Sequence, residues 1–207
     1  MSETTSKRRI SLPLVLAGGV SSLVLALGMS PTFSAFTASI QNDVNSAATG
    51  TLMMQETSGG VTCRSTDGTN GLSGNSATCA TINKYGGTDA LLTPGGAPNV
   101  TTVTIANTGT VAATGFSLTP GTCTQSALST PVGNATDLCA KLHVKITTDG
   151  TTVYDGSASA LTTAIALTPL AGGASAGYTF AVSLDSSADN TYQGLQASQP
   201  LTWTFQA

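Results

Sequence analysis

Charge is what this 207-residue chain has least of: seven Lys and Arg and ten Asp and Glu, 8% of the residues. With no basic stretch able to neutralise a row of phosphates, nucleic acid is excluded as a partner. Histidine is almost absent. A zinc peptidase of the H-E-x-x-H plan needs two histidines one helical turn apart, whereas this chain has only His143. No Gly-rich loop ends in Lys followed by Ser or Thr, so a phosphate loop is also missing. No catalytic, cofactor-binding or metal-ligating residue is assigned, and the chain is not read as an enzyme.

What remains is rich in Thr, Ser, Gly, Ala and Asn, with 40% hydrophobic residues. This balance suits short strands and turns better than amphipathic helices. Residues 141–147 alternate strictly, placing Leu142, Val144 and Ile146 on one face and Lys141, His143 and Lys145 on the other. Asp149-Gly150 supplies a tight primed turn and residues 152–154 run back, which predicts a hairpin and leaves His143 as a solvated strand residue. A second hairpin is predicted from 100–106 and 111–118 around Asn107-Thr108-Gly109. Tyr178, Phe180, Val182 and Leu184 alternate, as do Leu201, Trp203 and Phe205. Eight to ten such strands without a helical period predict an all-β fold, a jelly-roll-like antiparallel sandwich over residues 48–207. The Gly/Ser/Asn-rich region 56–98 is the least readable part; it carries a possible short strand at 78–82, and Arg64 and Lys84 read there as solvated charges.

The N-terminus reads differently. Residues 1–9 are polar and basic, with Lys7, Arg8 and Arg9, and residues 10–29 are apolar apart from a few serines and glycines. This is the pattern of a secretory signal over residues 1–35, touching the membrane only in transit; an uncleaved anchor is the alternative, weakened by Pro13, Gly18 and Gly19. Cleavage is expected between Ala35 and Phe36. Loss of Glu3, Lys7, Arg8 and Arg9 leaves four basic and nine acidic residues, a net charge near −5. Beyond the cut, Phe36, Ala38, Ile40 and Val44 share one face of a candidate strand, followed by a polar linker to residue 47.

Cys63, Cys79, Cys123 and Cys139 form two C-x15-C pairs. In an exported chain these read as two local disulfides, Cys63–Cys79 and Cys123–Cys139; four cysteines permit three connectivities, and a zinc site would also use four thiolates but usually needs a closer C-x2-4-C knuckle. Residues 185–190 place Asp185, Asp189 and Asn190 in one loop where calcium is conceivable, against an ordinary polar turn. Asn99-Val-Thr and Asn134-Ala-Thr match the N-glycosylation tripeptide, which is common by chance in so Thr-rich a chain.

Three stretches carry a resemblance: Phe33-Ser-Ala-Phe36 followed by Gly50-Thr-Leu52; Val103-Thr-Ile-Ala-Asn-Thr-Gly109; and Tyr192-Gln-Gly194 followed by the aromatic 201–207. Together they resemble the TasA/camelysin family of secreted bacterial proteins, whose signal is released by a dedicated SipW-type peptidase. The resemblance implies a jelly-roll subunit of extracellular biofilm-matrix fibres, partnered by itself head to tail through a donated N-terminal strand. The chain departs from that family's better-known members in its cysteines, in its scarcity of Lys and Glu, and in the long 56–98 insertion. The reading from a different class is a monomeric secreted adhesion module using the loops of a sandwich. Intact-mass analysis of secreted protein is expected to show Phe36 as its first residue, with release depending on the specialised peptidase because Phe33 is bulky for a general one.

Overall fold

The computed structural model describes residues 39–42 and 44–207. Ala35, Phe36 and Ala38, and with them the expected cleavage point and the start of the candidate donor strand, lie outside the described residues. The chain divides into two compact units, residues 1–47 and 48–207. In the first, the described residues form no strand, and Ile40 and Val44 are 99% and 84% exposed.

The second unit is an all-β antiparallel sandwich of jelly-roll-like construction. One sheet has the order β2-β1-β3-β9-β6-β7. Its members are β1 (Met54–Ser58), β2 (Val61–Arg64), β3 (Asn99–Asn107), β6 (Leu142–Thr148), β7 (Thr151–Ser157) and β9 (Ser175–Leu184). The facing layer pairs β11 (Leu201–Gln206) with β4 (Gly115–Pro120) and β4 with β8 (Ile165–Leu167). Beyond the breaks at residues 121–123 and 199–200, the same two chain segments pair again as β5 (Thr124–Ala127) and β10 (Leu195–Ser198). The chain therefore moves repeatedly from one layer to the other, and this crossing makes the architecture a sandwich rather than a meander.

Alternation decides which side chains meet between the layers. Val103 and Ile105 of β3, Val144 and Ile146 of β6, and Tyr178, Phe180 and Val182 of β9 are buried from one side, and Phe116 and Leu118 of β4 from the other. Each such burial stabilises by roughly 1.5–3 kcal/mol. Aromatic rings join the layers: Trp203 lies 4.9 Å from Tyr178 and 6.2 Å from Phe180, centroid to centroid, and Phe116 lies 6.0 Å from Tyr178.

The hairpin expected around Asp149-Gly150 is present as β6–β7, with both turn residues at positive φ, 47° and 77°. That is the backbone a type I′ turn requires. His143 is half exposed and lies 2.7 Å from Asp155, on the solvent face as read. The second expected hairpin is not formed. β3 pairs with β1 and β9, while β4 belongs to the opposite layer. The reason is Asn107, which is fully buried: its amide donates to the carbonyls of Val111 and Leu170 and its oxygen accepts from Gly109 N–H. The Asn-x-Gly signal thus makes a corner between layers, with the side chain satisfying backbone groups of a segment that no strand partners.

Cys123 and Cys139 are bonded as expected, tying the segment before β5 to the helical turn Leu138–Lys141. The Cys63–Cys79 bond is not formed, and this reading is corrected: the two are thiols, hydrogen-bonded to each other. Asn107→Ala removes three buried hydrogen bonds at once; chemical denaturation should show a loss of about 3 kcal/mol, with Asn107→Asp no better because a carboxylate cannot donate.

Candidate functional site

Among the described residues the layer containing β11 ends at β11, which pairs only with β4, and β10 pairs only with β5. Gly121 N–H donates to the Pro200 carbonyl at 2.7 Å, which sets the phase of the ladder. Hydrogen-bonded pairs in an antiparallel ladder recur every second residue, so Thr202 and Thr204 direct their N–H and C=O groups to β4. Leu201, Trp203 and Phe205 direct theirs outward, to an edge on which no described residue forms a strand. Along this edge runs a groove made of two cavities of about 620 and 500 Å³ that share Cys79, Lys84, Pro200 and Leu201 as lining residues. The β10 half has an apolar floor from Leu138, Leu142, Val182 and Leu184. The β11 half lies between Trp203 and Phe205 on one side and Met54, Glu56 and Cys63 on the other.

One wall of the groove is a strap, residues 76–92, that belongs to neither sheet and makes no backbone-to-backbone hydrogen bond to another described residue. Side chains hold it instead. Ile82 enters the hydrophobic core, and the Tyr85 hydroxyl donates to Gln199 Oε1 at 2.6 Å, its pKa raised by burial and by nearby Tyr154. Lys84 Nζ lies 2.7 Å from Glu56 Oε1, with both side chains 9% exposed, and the same carboxylate oxygen accepts from Trp203 Nε1–H at 2.9 Å. Lys84 is therefore not the solvated charge it was read as. Removing a lysine and a glutamate from water is tolerated only because each is the other's partner, and here the pair joins β1, the strap and β11. Neither residue stood out in the sequence, because their partnership spans 28 positions without a motif.

Cys63 faces Glu56 across β1–β2, and its thiol is pushed up to about 12 by burial and by its hydrogen bond to Cys79. Burial also acts to raise Cys79, but the hydrogen bonds from Cys63 and Thr81 outweigh it and lower that thiol below its usual value. Arg64 is exposed, as read.

The other candidates are accounted for locally. Asp185 accepts from Ser187 N–H, and Asp189 accepts from both the N–H and the hydroxyl of Thr191, capping the turn Asn190–Tyr192. Among the described residues no cluster of His, Cys, Asp or Glu could hold a metal ion. Tyr192 donates to Asp137 at 2.6 Å, a hydrogen bond that helps push its own pKa up to about 12. Residues 173–177 spell G-x-S-x-G, yet Ser175 opens β9 opposite Ala106 rather than standing on a strand-to-helix elbow, and no histidine is paired with it. The Asn99 amide donates to the Ala90 carbonyl at 2.6 Å. Among the described residues no helix is long and apolar enough to cross a membrane.

No family model and no curated protein matches the chain.

Lys84→Met should cost about 3 kcal/mol in chemical denaturation, because it leaves Glu56 buried and unpaired. Adding Glu56→Gln should recover part of that loss, since an amide oxygen still accepts from Trp203 and carries no charge. Equal stability of the single and double variants would contradict this account of the pair.

Proposed function

We propose that the protein is an exported structural subunit that polymerises by donating residues 36–44 to the open edge of a second copy, as the resemblance to the TasA/camelysin family implies. The observation that carries this reading is the pairing of two defects. Among the described residues β10–β11 is an edge with unpaired backbone groups beside a groove with apolar residues on its floor, and Ile40 and Val44 are apolar side chains exposed to solvent. A strand added to the edge satisfies both.

The dimensions agree. At about 3.3 Å per residue, the nine residues 36–44 span about 30 Å, enough to cover most of the roughly 36 Å that the eleven residues from Leu195 to Phe205 would span. Phe36, Ala38 and Ile40, at alternate positions, would point into the groove, and burying Phe36 and Ile40 contributes roughly 1.5–3 kcal/mol each beyond the backbone ladder. Transfer of a strand from one copy to the next is a heterologous contact, which builds an open filament rather than a closed dimer. The Cys123–Cys139 bond fits an oxidising, extracellular location. Release from a signal segment by a specialised peptidase would free the strand, so that export and assembly are linked.

Deletion of residues 36–44, or Ile40→Asp, should abolish filaments in negative-stain micrographs while leaving a folded monomer. A synthetic peptide of residues 36–44 should raise the melting temperature of the deletion variant. Filaments of ordinary appearance from the deletion variant would refute strand donation, and a stable monomer of the unaltered mature chain under all conditions would favour the adhesion-module alternative.

A further inference from the structure

Phe36, Ala38, Ile40, Asn42 and Val44 stand at alternate positions, so a strand that turns the first three into the groove turns Asn42 in with them. Asn42 is the one polar member of that set. The alternate residues, Thr37, Ser39, Gln41 and Asp43, would face away and are polar throughout. Burying an amide without partners is unfavourable, so the part of the groove that receives Asn42 must offer it both a donor and an acceptor.

The groove contains such a place. Of the charged residues that line it, Asp189 and Arg64 are exposed, whereas Lys84 and Glu56 have side chains almost wholly withdrawn from water. A lysine ammonium carries several N–H groups and a carboxylate several acceptor sites. The contacts at Glu56 Oε1, from Lys84 Nζ and Trp203 Nε1, cannot occupy them all, and in the open groove the rest are left to solvent. A wholly apolar strand laid over the groove would strip that solvent away and leave the pair under-satisfied. Asn42 supplies what is missing: its carbonyl oxygen can accept from Lys84 and its amide N–H can donate to Glu56.

We propose, resting on the strand-donation reading, that the Lys84–Glu56 pair receives Asn42 of the incoming copy and thereby fixes the register and direction of the donated strand, which runs parallel to β11 with Phe36 at the β10 end. Lys84 and Leu201 line both halves of the groove, and Glu56 accepts from Trp203, so the pair lies beside the stretch Leu201 to Trp203. With Asn42 opposite Trp203, an antiparallel strand would carry Phe36 six residues further on, past Gln206 where β11 ends and past Phe205, the last of the β11 residues that line the groove. A parallel strand carries Phe36 the other way, by about 20 Å at about 3.3 Å per residue. Phe36 then comes opposite Ala197, over the floor made by Leu138, Leu142, Val182 and Leu184. Ala38, the smallest of the set, comes opposite Gln199, where the hydrogen bond from Tyr85 ties the strap to the edge. Ile40 comes opposite Leu201 and Val44 opposite Phe205, so each apolar side chain of the strand has an apolar station or a narrow one that suits its size.

The test uses mature protein with p-benzoylphenylalanine in place of Phe36 or, separately, of Ile40, which lies in the groove whichever way the strand runs. Isotope-labelled and unlabelled copies are mixed, assembled and irradiated, so that crosslinks between copies are recognised by mass. Position 36 is expected to join peptides containing Leu138, Leu142 or residues 195–199 of another copy. Crosslinks from position 36 to residues 52–56 or 203–206 overturn the parallel direction and leave strand donation standing, as do crosslinks from position 40 alone. Crosslinks from neither position overturn strand donation and the register with it. Asn42→Leu should raise the critical concentration for filament growth about tenfold in the otherwise unaltered chain, and much less in the Lys84→Met/Glu56→Gln background, where the pair is neutral. Asn42→Asp, of the same shape but unable to donate to Glu56, should raise it too, and serves if the double-substituted background folds poorly. Unchanged growth with both Asn42 variants, or an equal rise for Asn42→Leu in the two backgrounds, overturns the contact.

Discussion

Trp203 is where the two layers, the strap and the open edge are held in one arrangement. Its ring lies against Tyr178, Phe180 and Phe116, which span both sheets, and its N–H needs a partner once buried. That partner is Glu56, and a carboxylate in such surroundings needs a cation, which the strap provides in Lys84. The sequence of needs runs from an apolar contact to a hydrogen bond to an ion pair, each made necessary by the one before. The residue that starts it sits on the strand whose outer backbone groups no described residue pairs, so the internal cohesion of the sandwich and the finish of its edge are decided in the same few side chains.

The readable parts of the fold were those whose cause is local. β6–β7 could be recognised because side-chain alternation and the Asp149-Gly150 turn both act within a few residues. β9 and β11 were visible for the same reason. The corner at Asn107 looked like a hairpin because Asn-x-Gly is a turn signal in either setting. Only the tertiary position of Leu170, 63 residues away, turns the asparagine inward to serve a crossing between layers. The same distinction separates the two cysteine pairs. Equal spacing brought each pair together, but spacing says nothing about the oxidation state, and one pair is a bond while the other is two thiols. The groove itself left no mark in the sequence, since it is defined by what fails to pair with β10 and β11.

The scarcity of charge takes on a definite meaning in this architecture. Of the few ionic groups in the β domain, His143, Lys145 and Asp155 lie together on the outer face of β6–β7. Glu56 and Lys84 are inside. The remaining surface is largely Thr, Ser, Asn and Gly, whose hydrogen bonding to water does not fade with added salt as ion pairs do. Contacts between copies made through such a surface would rest on shape, backbone pairing and apolar burial, with little help from long-range attraction.

The other strands at the limits of the sheets are poor platforms for pairing. β8 has three residues and β2 four, while β7 carries the Asp155 carboxylate and pairs with β6 through an irregular register near Ile146 and Thr147. Such features discourage edge-to-edge association. A polymer built through β10–β11 would therefore be unbranched, each member receiving one neighbour and entering one other. Its two termini would be chemically unlike, one showing a vacant groove and the other an unplaced strand, so growth at the two would have different rates and could be blocked separately, by a free peptide at the first and by a strandless copy at the second.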